Sequence, residues 1–110
     1  MITITSTETA KILIKGTAIE LPSVIARVGF TGVFSGKTMP TYLEIFESLE
    51  AYNLDPTNTI EVSGFDTTKP FDLSNGDTPE TWKDQSRQVA HDEYKAYLES
   101  LGFTAVITGI

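Results

Sequence analysis

His91 is the only histidine in the chain, and therefore the only side chain whose ordinary titration falls near neutral pH. Asp84, Arg87, Gln88 and Lys95 surround it at helical spacing, a set expected on the solvated polar face of a helix. General acid–base chemistry would need a cleft and a partnered nucleophile or substrate beside the ring. The expectation is a solvent-facing histidine and no catalytic residue. Ser23, Ser35 and Ser74 lack the G-x-S-x-G frame of a nucleophile elbow.

Oxygen ligands for a hard cation are offered by Asp66, Asp72, Asn75 and Asp77, but the calcium-loop pattern then fails. Counting Asp72 as the first ligand puts Lys83 where a bidentate glutamate is required. An Asx-rich turn feeding a helix accounts for these residues. Glu44, Glu47 and Glu50 at three-residue spacing read as an exposed stripe on a short helix. Gly29, Gly32 and Gly36 match neither the dinucleotide fingerprint nor a P-loop. Inside a strand, glycine instead marks a bulge, a bend or a close backbone approach. No catalytic, cofactor or metal residue is assigned.

The element that dominates the sequence is an alternation from Val24 to Phe34. Val24, Ala26, Val28, Phe30 and Phe34 point one way, and Ile25, Arg27 and Val33 the other. Strands usually stop near 5–6 residues, so a stretch this long implies a strand crossing the domain or a projecting hairpin arm. Both its faces are apolar, and Arg27 is its only charge. One helix cannot cover two faces, so a second layer or another subunit is needed. An edge left uncovered there would invite pairing with a neighbouring chain.

Around it, Ile2–Thr5, Ala10–Lys15 and Ile19–Leu21 read as short strands, with Gly16-Thr17 as a turn and Pro22 opening the long strand. Ser35-Gly36-Lys37 is a hairpin turn leading into a strand at Thr41–Glu47. Ser48–Tyr52 reads as one helical turn, with a continuous helix from Tyr42 to Tyr52 as the alternative, and Thr59–Val62 reads as a further strand. Ser63–Thr78 is the longest irregular segment, and long loops inside compact domains usually bind something or order on assembly. The spacing then predicts a helix, with Thr78 as N-cap, Pro79 as first residue and Gly102 at the end. Trp82, Val89, Ala90, Tyr94, Tyr97, Leu98 and Leu101 form its apolar face. A Schellman cap against Phe103 and a last strand from Phe103 to Ile107 follow. The fold class is α+β: one domain over 1–110, mainly antiparallel, with a long hairpin, one C-terminal helix on one face and a final strand.

Composition agrees with a folded chain, at 40% hydrophobic and 21% charged residues. With no cysteine, it has neither disulfides nor thiolate metal sites. The net charge of −7 concentrates in the second half, where residues 56–110 hold four basic and nine acidic groups. Without a Lys/Arg cluster, nucleic acid is not an expected partner. No apolar run approaches the roughly 20 residues needed to span a bilayer, and the start MITITSTETAK has no signal-peptide form. A soluble, unsecreted protein without membrane partners is expected.

The stretches LPSVIARVGFTGVFSGKTMPTYLEIF (21–46) and TPETWKDQSRQVAHDEYKAYLESLG (78–102) together resemble small structural proteins of tailed-bacteriophage virions, of the head-completion, neck or tail type. That resemblance, one of style across most of the chain, implies a compact α+β core with hairpin arms, partnership with copies of itself and with neighbouring virion proteins, and location in the virion assembled in host cytoplasm. The function expected is a non-enzymatic structural subunit without cofactors. Its contacts are expected in the 24–46 hairpin and the 63–78 loop, through Ile25, Arg27, Val33, Phe34, Lys37, Phe65, Phe71 and Leu73. The alternative is a small acidic binding module or inhibitor directed at a basic surface.

Overall fold

A computed structural model describes residues 1–30, 38–72 and 79–109. Its centre is a five-stranded sheet built from β1 (Ile2–Thr5), β4 (Ser23–Phe30), β5 (Thr38–Phe46), β7 (Thr68–Asp72) and β8 (Thr104–Ile107). The order across the sheet is β7-β5-β4-β1-β8, and every pair is antiparallel. A smaller sheet, ordered β3-β2-β6, comes from β2 (Ile12–Ile14), β3 (Glu20–Leu21) and β6 (Val62–Ser63). The helices are α1 (Leu49–Leu54) and α2 (Pro79–Ser100).

Period-two alternation puts one set of side chains under α2. Ile2, Ile4, Val24, Ala26, Leu43, Ile45 and Ala105 are buried there against Ala90, Tyr94 and Leu98 of the helix. Burying an aliphatic side chain of this size contributes about 1.5–3 kcal/mol, so this layer dominates stability. Tyr94 brings a polar atom into it and finds partners. Its hydroxyl lies 2.9 Å from Thr41 Oγ1, which donates to the Lys69 carbonyl at 2.7 Å, and the ring meets Phe71 edge-on at 4.8 Å. Burial pushes the Tyr94 phenol up from its ordinary value, opposed by the Thr41 hydrogen bond.

The small sheet closes one end of this core. Ile12 and Val62 are buried, and Phe65 packs edge-on against Phe103 at 5.4 Å.

The last turn of α2 has the expected Schellman form. Phe103 N–H donates to the Leu98 carbonyl at 3.1 Å and Gly102 N–H to the Glu99 carbonyl at 3.0 Å. Gly102 takes φ +102°, the left-handed conformation that the motif requires. Its carbonyl accepts from Thr7 Oγ1 at 2.6 Å, tying the helix end to the β1–β2 connection. The chain then enters β8.

Four expectations change here. The strand from Val24 is described as far as Phe30; β1 pairs it from Ser23 to Ala26 and β5 from Ile25 to Phe30. Apolar residues on both faces therefore mark a strand that is central where β1 and β5 flank it, and β1 reaches no further along it than Ala26. Part of its second face is covered by the same chain: Tyr52 of α1 meets Phe46, the partner of Ile25 on that face, at 4.9 Å. Tyr42–Phe46 is strand, so the continuous helix to Tyr52 is ruled out, and Glu44 sits on β5 where a helical stripe was expected. Finally, β7 runs through what read as irregular chain, its strand character hidden by Pro70. The 35–37 turn and the Thr78 cap lie outside the described residues.

Candidate functional site

Opposite α2, the outer face of the large sheet carries Thr3, Ile25, Arg27, Gly29, Tyr42 and Glu44 in adjoining register positions. Arg27 donates to Glu44 Oε1 from Nε at 3.2 Å and from Nη2 at 2.7 Å. These hydrogen bonds, and a further one to Tyr52, hold the guanidinium above its ordinary pKa. Tyr42 lies across Gly29 so closely that a Cβ there would fall 2.3 Å from the ring. The close approach expected of a strand glycine is made by this tyrosine.

An open cleft of about 840 Å³ runs from this face past Met1 to α2, where Arg87 and His91 line it. His91 is 5% exposed, which corrects the expectation of a solvated ring. Its Nδ1 lies 2.6 Å from the Arg87 carbonyl and so carries the proton, and its Nε2 lies 3.4 Å from the Met1 nitrogen. Burial pushes the His91 pKa down, partly opposed by the Arg87 carbonyl, so the ring is neutral at pH 7. A neutral ring with Nδ1 held by its own helix locks β1 to α2. Among the described residues, no hydroxyl or carboxylate is hydrogen-bonded to it.

A second cleft of about 550 Å³ lies between β5 and residues 59–67, with Lys15, Arg27, Glu44 and Glu61 on its walls. Lys15 and Glu61 approach to 3.8 Å there. Charges of both signs answer one another across it, which leaves no field of a single sign to select a charged ligand. No group of three or more potential metal-ligating side chains occurs among the described residues.

The expected contact residues divide three ways. Ile25 is half-buried and Arg27 exposed on the outer face. Phe65 and Phe71 are buried in the chain's own core against Phe103 and Tyr94, so neither ring is presented to a neighbour. Val33, Phe34, Lys37 and Leu73 lie outside the described residues, as does most of the acidic loop.

The feature that sequence reasoning passed over is the contrast between the two edges of the large sheet. Along a strand, alternate residues direct N–H and C=O to opposite neighbours. Leu43 N–H donates to the Thr67 carbonyl at 2.7 Å, so Thr67, Lys69 and Phe71 face β5 and Thr68 and Pro70 face outward. The outward edge of β7 therefore has a proline, without an N–H, at its middle. At the other edge, Thr108 N–H donates to the Met1 carbonyl at 2.9 Å, so Thr104 and Val106 face β1. Ala105 and Ile107 then direct both backbone groups outward, and none of the four takes a hydrogen bond among the described residues. No charge guards them: β1 reads ITIT and β8 reads TAVI. On the outer face, Val106 is 50% exposed. The only available signal was a neutral last strand in an acidic chain.

Comparison with protein-family models, with curated proteins and with solved structures returns no match. No helix among the described residues is long and apolar enough to cross a membrane.

Proposed function

We propose that this chain is a non-enzymatic structural subunit of a larger assembly, joined to its neighbours by continuation of its main sheet, in the manner of the small tailed-phage virion proteins it resembles. The observation that carries this reading is the unguarded β8 edge at the opposite side of the sheet from the proline-bearing β7 edge. Natural sheets guard edges that must stay single with charge, proline or a covering segment. An edge left bare in a sheet whose other edge is guarded is suited to pairing. The most chemically capable side chains already serve the fold: the His91 ring joins α2 to β1, and Arg27 joins β4 to β5.

Light scattering on a sizing column, over the micromolar to millimolar range, tests the reading. A mass that rises with concentration supports it. A monomer throughout, at low and at high salt, refutes self-association.

A further inference from the structure

We propose that the occupant of the β8 edge is β8 of a second copy of this chain, antiparallel to the first about a two-fold axis through Val106. This rests on the assembly reading above and names its partner and register.

The register follows from the outward backbone groups. With Val106 on the axis, Ala105 of each copy faces Ile107 of the other. All four outward groups of each strand are then used in two hydrogen-bonded pairs. The Val106 side chains become a non-hydrogen-bonded pair, the closer of the two antiparallel spacings at about 4.5 Å between Cα atoms. The half-exposed apolar side chain on the outer face is thus covered by its own copy. Placing the axis on Ala105 or on Ile107 satisfies fewer groups and leaves the two valines out of register.

Charge and symmetry favour the same occupant. A chain of net charge −7 repels its copies, and within the large sheet β1 and β8 are the neighbouring strands in which every side chain is neutral. Pro70 withholds an N–H from the β7 edge, so a head-to-tail β8–β7 contact is disfavoured. Pairing β8 with β8 uses each open edge once and closes at two subunits, giving a ten-stranded sheet with a helix on one face of each half.

Cysteine crosslinking reads the register directly, because the chain has no cysteine of its own. Opposed residues at the non-hydrogen-bonded spacing lie within disulfide range. V106C is expected to form a covalent dimer on oxidation. T104C lies on the same face but two residues from the axis, so it should stay largely uncrosslinked. Separately, V106K and V106E should each weaken the dimer by about twofold to fivefold by placing like charges opposite one another. Mixing the two restores it. Both side chains enter solvent in the monomer, and thermal unfolding of each variant checks that the fold is kept.

Equal crosslinking of T104C and V106C, or self-association unchanged in folded V106K, overturns the β8 register while leaving assembly through another surface standing. A wild type that stays monomeric at every concentration, with V106C uncrosslinked, overturns both.

Discussion

Replacing Gly102 by alanine tests the turn that delivers the chain from α2 into β8. Two costs add at this position. Gly102 has φ +102°, and holding a residue with a Cβ in left-handed backbone costs about 1–2 kcal/mol. The new Cβ would also fall 2.7 Å from Thr9 Oγ1, so that hydroxyl must turn away from Thr7 Oγ1, its partner at 3.3 Å. Losing that exposed hydrogen bond adds about 0.5–1 kcal/mol. The expected destabilisation is therefore about 1.5–3 kcal/mol, or about 6–24 °C in Tm at 4–8 °C per kcal/mol for a domain this size. Gly16→Ala is the control, since Gly16 has φ +77° with nothing within 4 Å of a Cβ. Urea unfolding of both variants, with unchanged m-values, isolates the contact at Thr9. If Gly102→Ala costs no more than Gly16→Ala, the reasoning about the turn is wrong.

Tyr94→Phe should cost about 0.5–1.5 kcal/mol, because Thr41 keeps the Lys69 carbonyl as its acceptor when the phenol oxygen is removed; a loss above about 3 kcal/mol by urea unfolding would contradict that network. The depressed pKa of His91 means that the unfolded chain binds its proton first as pH falls. Its contribution is thus fully present above the ordinary value of 6.5 and is lost as pH drops toward the folded value. Wild-type stability should fall in that window by up to about 1.4 kcal/mol per pH unit, and His91→Gln should lack that step; identical pH profiles would refute the buried neutral ring. Pro70→Val restores an outward N–H to β7, so a closed dimer should lengthen into open chains, seen as rising mass in light scattering. An unchanged dimer mass would show that Pro70 is not what guards that edge.

Local pattern made much of the fold legible. The period-two run at Val24–Phe30 assigned the correct faces, and the spacing of Ala90, Tyr94, Leu98 and Gly102 located α2 and its cap. What could not be read depends on which segments meet. Ile25 and Val28 gave the 24–34 strand two apolar faces, but whether such a strand is central or at an edge is decided by β1 and β5, remote from one another in the chain. His91 has polar neighbours along its helix, and its burial comes from Met1 and the β1 end, ninety residues away. Pro70 argued against a strand when read alone. In the sheet it faces outward from an edge, the position where a strand tolerates proline. The β8 edge was hidden for the same reason: four neutral residues in TAVI acquire meaning only once β1 is known to occupy one side of them.

Amide hydrogen exchange, resolved to single residues and repeated at low and high protein concentration, tests the β8 edge most directly. Val106 N–H faces β1 and should be protected in both samples, whereas the Ala105 and Ile107 N–H groups face outward and should gain protection only at high concentration. Fast exchange of Ala105 and Ile107 at every concentration would contradict assembly through this edge.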